Sequence, residues 1–330
     1  MKHVRISVII PAYNAELYIA RAIESCLRQT EPADEIIVAD DGSTDRTGEI
    51  AGQFSDRVRI VRLKENCGLP VARNRAVEAS TGDWLAFLDA DDWFFPQKLQ
   101  LQRRCIRENP DAVLVYSGFR LRFIDGSERD GTFISPGDLH WRLRYHGAFH
   151  VGSVMLRRDA FDAVGGFNPS YRRCEDWDLW LRIANRFSTA AFAVVPEPLV
   201  AYRQVPESLS SDAMRMFEMK AVLIESRSLY GKSGLNRLLL RRQIHAFNHY
   251  DTAIAVREQG SKQFLRLMFR SFVLWPFPNK MLPLNRYKTA VVMLMQYLGW
   301  WRNSAQVSQD EASITSMTSD KQGDELPSTR

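Results

Sequence analysis

Trp84-Leu85-Ala86-Phe87-Leu88-Asp89-Ala90-Asp91-Asp92 decides the fold, because an apolar run of five residues ends in three carboxylates within four positions. A short, wholly apolar run reads as a strand buried on both faces of a parallel sheet. The acids then stand at the carboxyl end of that strand, the edge where open α/β sheets bind ligands. Three like charges this close repel one another unless a cation or hydrogen-bond donors sit among them. Hard oxygen ligands of this kind suit Mg²⁺ or Mn²⁺, and such ions commonly hold a substrate diphosphate. Taken alone, the stretch also reads as a solvated acidic turn with Asp91 or Asp92 capping the next helix.

Working outward, strand-like and helix-like segments alternate. Val4 to Ile10, Glu35 to Ala39 and Val58 to Leu63 read as strands, and Ala15 to Arg28, Asp45 to Phe54, Pro70 to Ala79 and Pro96 to Glu108 as helices. Repeated βα units imply an α/β fold with a mostly parallel sheet flanked by helices. Further on, Ala112 to Phe123 reads as a strand, then an Asp125-Gly126-Ser127 turn and a strand to Phe133. His150 to Arg157 and Ala190 to Val195 are strand candidates on either side of a helix from Asp176 to Arg186. From about Ser211 the pattern becomes helical. The expected organisation is a catalytic domain over 1–210, a C-terminal helical extension over 211–302 and a disordered tail over 303–330, where large apolar side chains are sparse.

A chain of 330 residues can bury a full core. The four cysteines, Cys26, Cys67, Cys105 and Cys174, form no C-x-x-C pair, so free thiols are expected rather than a zinc site or disulfide framework. The opening apolar run from Ile6 to Ile10 is too short for a signal core, which places the chain in the cytoplasm as an expectation. The net charge of +5 is uneven: Arg257 to Arg302 holds eight Lys or Arg residues and one acid, Glu258, interleaved with Phe, Leu, Met and Trp. That pattern suits an anionic membrane surface better than nucleic acid. Phe264 to Phe277 and Thr289 to Trp301 fall short of the roughly 20 apolar residues of a spanning helix. An interfacial helix with Trp300 and Trp301 at headgroup depth competes with helices simply packed on the catalytic domain.

Three further constellations carry chemistry. In Glu35-Ile36-Ile37-Val38-Ala39-Asp40-Asp41-Gly42-Ser43-Thr44-Asp45 a second apolar strand delivers carboxylates to the ligand edge, and Gly42 permits a tight turn. Asn66-Cys67-Gly68-Leu69-Pro70-Val71-Ala72-Arg73-Asn74 is a Gly turn into a helix carrying Arg73; helix N-termini and Arg both favour phosphate. Gly165-Gly166-Phe167 precedes Arg172-Arg173-Cys174-Glu175-Asp176-Trp177-Asp178, whose acids at a helix start also complement its dipole. His245 and His249, four apart, read as ordinary surface or core histidines, and Trp177 and Trp180 as core.

With Pro11-Ala12-Tyr13-Asn14 after the first strand, these motifs in this order and spacing resemble glycosyltransferase family 2 over roughly residues 4 to 210. The resemblance implies a GT-A, Rossmann-like fold and an inverting enzyme that moves a sugar from a nucleotide-sugar donor to a hydroxyl of a glycan or lipid-linked acceptor in cell-surface polysaccharide or glycolipid synthesis. It implies that Pro11, Ala12 and Tyr13 line the nucleotide pocket, Asp41 holds the base with Arg73 nearby, and Asp89 meets the ribose. It further implies Asp91, supported by Asp92, as ligand to Mg²⁺ or Mn²⁺, and Asp176, beside Glu175, as general base. Tyr202-Arg203-Gln204 is followed by Val205 where family members often carry a His, and the Gln-x-x-Arg-Trp motif of processive synthases is missing from the sequence, which favours single addition. Two rivals remain: a nucleotidyltransferase, which usually needs a Gly-rich basic loop after the first strand, and a non-catalytic glycan-binding or scaffold protein on a transferase fold.

Overall fold

The computed structural model describes residues 3–131, 134–204, 212–279, 281–282 and 285–298. The chain divides into two compact units, Met1–Asn248 and His249–Arg330. In the first, β1 (Ile6–Ala12), α1 (Ile19–Leu27), β2 (Glu35–Asp40), α2 (Thr47–Gly52), β3 (Arg59–Arg62), α3 (Leu69–Glu78) and β4 (Trp84–Phe87) realise the βα alternation read from the sequence. Then follow β5 (Trp93–Phe94), α4 (Lys98–Glu108), β6 (Leu114–Arg122), β7 (Glu128–Asp130), α5 (Pro136–Arg142), β8 (Val154–Arg157), α6 (Arg158–Ala163), α7 (Glu175–Phe187) and β9 (Phe192–Arg203). The helices α8 (Ala213–Leu223), α9 (Gly234–Glu258), α10 (Phe264–Leu274) and α11 (Asn285–Tyr297) complete the described chain.

The strands form one sheet in the order β3-β2-β1-β4-β8-β6-β9-β5, with β7 paired on β6. The β3-β2-β1-β4 half is parallel. Every residue of β1 is buried, as a strand covered by helices on both faces requires. Its one polar member, Ser7, donates its hydroxyl to Glu35 Oε1 at 2.6 Å and accepts the Gly82 N–H at 2.8 Å. Pro11, which cannot donate to a ladder, stands beyond Ile9, the last residue of β1 paired with β4. On α1 the buried residues Ile19, Ala22, Ile23 and Cys26 follow the three-and-four spacing of one helix face.

In the second half β8 runs antiparallel between β4 and β6, while β9 is parallel to β6 and antiparallel to β5. Two consequences follow for the site. Because Ala86 pairs with Met155, the start of β8 and the turn before it lie beside the carboxyl end of β4. Because Trp93 pairs with Ala201, the end of β9 lies beside the turn that follows β4. The short elements β5, α5 and α6 carry no periodicity long enough to show in the sequence. Residues 132–133 at the end of the expected second hairpin strand, Val205, Trp300, Trp301 and the 303–330 tail lie outside the described residues.

In the second unit α10 and α11 pack against each other through a buried cation. Arg286 donates to Ser271 Oγ at 3.2 Å and to the carbonyls of Trp275 and Pro276 at 2.8 and 3.1 Å, with its guanidinium 4.3 Å from the Phe272 ring. Among the described residues no helix is long and apolar enough to cross a membrane. All four cysteines are free thiols.

Candidate active site

The register of the parallel half puts three loop starts on one sheet edge. β1 ends at Ala12 opposite Asp40 of β2, and Leu88 N–H bonds the Ile9 carbonyl, so Tyr13, Asp41 and Asp89 all leave the sheet on the same side. Pro11 and Ala12 are buried in the strand, whereas Tyr13 is 47% exposed. The turn beneath Tyr13 is locked: Asn14 adopts φ +47°, its N–H donates to Ser43 Oγ at 3.1 Å, and its Oδ1 accepts the Thr44 N–H at 2.9 Å.

Asp41 is 3% exposed, and its two oxygens accept the Cys67 and Gly68 N–H groups at 2.9 and 2.8 Å. It thereby fastens the turn that launches α3. Gly42 follows at φ +70°, where a Cβ would lie 2.6 Å from the Glu65 backbone, so only glycine lets the two loops approach.

Arg73 is 1% exposed and joins the two acidic motifs: Nη2 donates to Asp89 Oδ1 and Nη1 to Glu175 Oε1, both at 2.6 Å. Burial disfavours its charge, but Asp89 and Glu175 outweigh that and hold the guanidinium firmly protonated. The sequence suggested a phosphate ligand here; the structure spends both arms of the fork on carboxylates. The Gly165-Gly166-Phe167 motif supports this bridge. Asn74 exchanges two hydrogen bonds with the Phe167 backbone, at 2.8 and 3.0 Å, and the fully buried Phe167 ring packs edge-on against Phe87 and lies 5.1 Å from the Arg73 guanidinium. Burying such a ring stabilises by about 2–3 kcal/mol.

Asp89, Asp91 and Asp92 share the turn after β4, closed by the Asp92 N–H on the Asp89 carbonyl at 3.1 Å. Burial pushes the Asp91 carboxyl up to about 7, and the negative charges of Asp92 and Asp89 add to it. Asp92 is 1% exposed; burial raises its carboxyl as well. Its Oδ1 accepts the Arg203 N–H at 2.9 Å, while Oδ2 lies 3.1 Å from His150 Nε2, a close ionic approach that leaves Oδ2 without an aligned hydrogen bond. Asp89, Asp92 and His150 each bring a ligand atom within 4.8 Å of the others. A buried carboxylate oxygen with no hydrogen-bond donor, two neighbouring carboxyls and an imidazole make a donor set that fits a divalent cation.

His150 and Arg203 were not legible as site residues. His150 precedes β8 and Arg203 ends β9, and only the antiparallel pairings of those strands carry them to the β4 turn. His150 is sandwiched in aromatic contact with Tyr202 at 4.2 Å; burial opposes its protonation, but Asp92 outweighs that and raises it. Arg203 Nε reaches the Asp91 carbonyl at 3.3 Å.

Asp176 is the second residue of α7, whose N-cap, Cys174, is a non-glycine residue at φ +56°. Burial first, and the Glu175 charge second, push the Asp176 carboxyl up to about 7. The Trp177 N–H donates to Asp176 Oδ1 at 2.7 Å, and among the described residues none donates to the other oxygen. Asp178, two positions further on, is paired with Arg182 and Arg227 at 2.7 and 3.0 Å. Trp177 and Trp180 are core, as read, and His245 meets Glu225 at 2.7 Å.

The arrangement is thus a carboxylate with an elevated proton affinity at a helix start, tied by one buried guanidinium to an acidic cluster at a strand end. Comparison with known proteins places it. Residues 7–167 match the family described as glycosyl transferase family 2. A putative teichuronic acid biosynthesis glycosyltransferase of Bacillus subtilis is 34% identical over 212 residues, 63% of this chain and 82% of that protein. Other curated relatives are matched over 58% and 66% of their own length. Among solved structures, S. aureus TarS 1-349 in complex with UDP-GlcNAc superposes with a TM-score of 0.62 at 16% identity, covering 91% of this chain and 93% of that one. The mannosyltransferase PcManGT from Pyrobaculum calidifontis, in complex with GDP-Man and Mn²⁺, gives 0.53 at 18% identity over 89% and 85%. The sheet, the motif order and the sequence match agree: the chain is an enzyme of glycosyltransferase family 2, built on the GT-A fold.

Proposed function

We propose that the enzyme transfers a sugar from a nucleotide-sugar donor to an acceptor hydroxyl with inversion, assisted by Mg²⁺ or Mn²⁺, in the synthesis of a cell-surface polysaccharide or glycolipid. The observation that carries this reading is Asp176: a carboxyl at about 7 whose second oxygen is free of donors, joined through Glu175 and Arg73 to Asp89. A base poised near working pH can take the proton of an attacking hydroxyl. In the displacement the acceptor oxygen bonds to the anomeric carbon, the bond to the diphosphate breaks on the opposite face, and the hydroxyl proton passes to Asp176. One displacement inverts the centre.

Asp89, Asp92 and His150, whose ligand atoms converge, would hold the cation with Asp91 beside them on the same turn, and the family resemblance would also have Asp89 meet the ribose. When bound, the ion supplies positive charge against the departing diphosphate. Tyr13, on the exposed side of the locked β1 turn, offers a ring to the base. The teichuronic acid relative supports a surface-polysaccharide role, and the donors named for TarS and PcManGT support UDP- or GDP-sugars. A glycan or lipid-linked hydroxyl is the acceptor class that suits such a role.

The test is nucleotide release from a panel of UDP-, GDP- and dTDP-sugars, alone and with Mg²⁺ or Mn²⁺, with donor binding measured in parallel. Asp176→Asn is expected to keep donor binding and lose transfer, and Asp91→Ala to lose cation-dependent donor binding. Unaltered turnover in Asp176→Asn would remove Asp176 as base; donor binding by Asp91→Ala with undiminished cation dependence would remove Asp91 as ligand.

A further inference from the structure

The α10–α11 pair presents a face that the reaction does not use. On α11, Tyr287, Val291 and Leu294 are 40%, 54% and 48% exposed, and their four-and-three spacing sets them on one stripe. On α10, Phe269 and Val273, one turn apart, are 70% and 58% exposed, and Phe277 follows at 64%. The opposite sides are buried through Leu267, Met268 and Met293. Scattered exposed apolar residues are ordinary, but five large ones on two packed helices, with Phe277 just beyond the end of α10, are enough to mark an interaction surface.

The charge of this segment is one-sided. Residues 259–298 contain six Lys or Arg and no Asp or Glu. Arg286 is consumed inside the pair, whereas Lys262, Arg266, Arg270 and Lys288 are exposed. Arg266 and Arg270, also one turn apart, lie in the rows next to Phe269 and Val273. A patch with exposed rings and branched aliphatics beside unopposed cations fits the headgroup boundary of an anionic bilayer. A second copy fits poorly, because a twofold contact would set cations against cations with no acid to relieve them. Residues 303–330, with five acids and two cations, match the charge but have no aromatic residue to cover the rings.

We propose that the α10–α11 face docks on an anionic lipid bilayer, lying in its interface without crossing it. The proposal rests on surface chemistry alone and stands whatever donor or acceptor the enzyme uses. Each cation at such a surface is worth about fivefold in partition, and each buried Phe or Leu about tenfold or more.

The experiment is flotation of the full chain with vesicles of pure phosphatidylcholine and of phosphatidylcholine with a third phosphatidylglycerol, at low and high salt. Salt-sensitive binding to the anionic vesicles is expected, reduced at least about 25-fold by Arg266→Glu with Arg270→Glu. It is expected to fall about 100-fold with Phe269→Ser and Leu294→Ser. Circular dichroism and a thermal unfolding midpoint unchanged in each variant show that the fold is intact. No binding to anionic vesicles, or equal binding by wild type and both variants, overturns the proposal. So does a dimer dissolved by Phe269→Ser and Leu294→Ser, or vesicle binding only after Asp310, Glu311, Asp320, Asp324 and Glu325 are changed to their amides, which would give the face to the tail.

Discussion

Replacing Arg73 by methionine removes the guanidinium that joins the two acidic motifs while keeping an unbranched apolar stem in its place. Each of its contacts is 2.6 Å long, and at an effective dielectric of about 20 two unit charges at that distance attract by about 6 kcal/mol. That gross figure is offset by the cost of dehydrating a guanidinium that is 1% exposed, so breaking such a pair from one side has a net cost of about 3–5 kcal/mol. The two arms are unequal. Glu175 is 8% exposed and Asp89 27%, so water can relieve Asp89 but not Glu175 when the cation is gone. Arg73→Met is therefore expected to lose about 4 kcal/mol, and Glu175→Gln placed on top of it to recover more than Asp89→Asn does. Urea unfolding followed by tryptophan fluorescence reads the loss close by, because the buried Trp177 and Trp180 sit on the helix that carries Glu175. A cost under about 1 kcal/mol for Arg73→Met, or recovery that favours Asp89→Asn, would refute the view of Arg73 as a buried strut.

A base with a carboxyl raised to about 7 gives a transfer rate that falls tenfold per pH unit below that value, and Glu175→Gln, by removing the nearest like charge, should move this acid limb to lower pH in a pH–rate profile. An unmoved limb would assign the shift to burial alone. Gly42→Ala meets both a positive φ and a backbone 2.6 Å away, so it is expected to cost about 2 kcal/mol or more in urea unfolding and to weaken binding of the donor as the Asp41 turn is displaced. Asn74→Ala strands the Phe167 backbone and should cost about 1–3 kcal/mol. Asp176→Asn and Asp178→Asn should move thermal stability in opposite directions at pH 8: the first raises the melting temperature, the second lowers it. Below about pH 3, where Asp176 is mostly protonated in folded and unfolded chains alike, the gain from Asp176→Asn should vanish.

The centre of the parallel half was legible because β1, β2 and β4 are local apolar runs, and they stand close to where Val4 to Ile10, Glu35 to Ala39 and Trp84 to Leu88 put them, with β1 starting and ending two residues later than read. The second half was not, because which strand inserts beside β4 depends on pairings between residues some seventy positions apart, such as Ala86 with Met155. The same long reach hid His150 and Arg203. Nothing local marks a lone histidine ahead of a strand, or an arginine at the end of one, as neighbours of Asp92. Arg73 was legible as a cation at a helix start, but not as a buried one, since its partners come from residues 89 and 175.

The acids show most sharply what position alone leaves undecided. Asp41, Asp91, Asp176 and Asp178 all stand at strand ends or helix starts, and the sequence treats them as one kind. Their partners divide them. Asp41 accepts two backbone N–H groups and Asp178 pairs with two arginines, so each is satisfied within the fold. Asp91 and Asp176 instead sit among other carboxylates in partly dehydrated positions, where folding raises their proton affinity to about 7. By linkage such groups take stability away as the pH climbs from the ordinary carboxylate range toward 7. A fold gains nothing from keeping two acids in that condition, and an amide would remove the strain at either place. The proposed function gives both a use outside the fold: a proton to be taken from an incoming hydroxyl at Asp176, and positive charge to be met at Asp91.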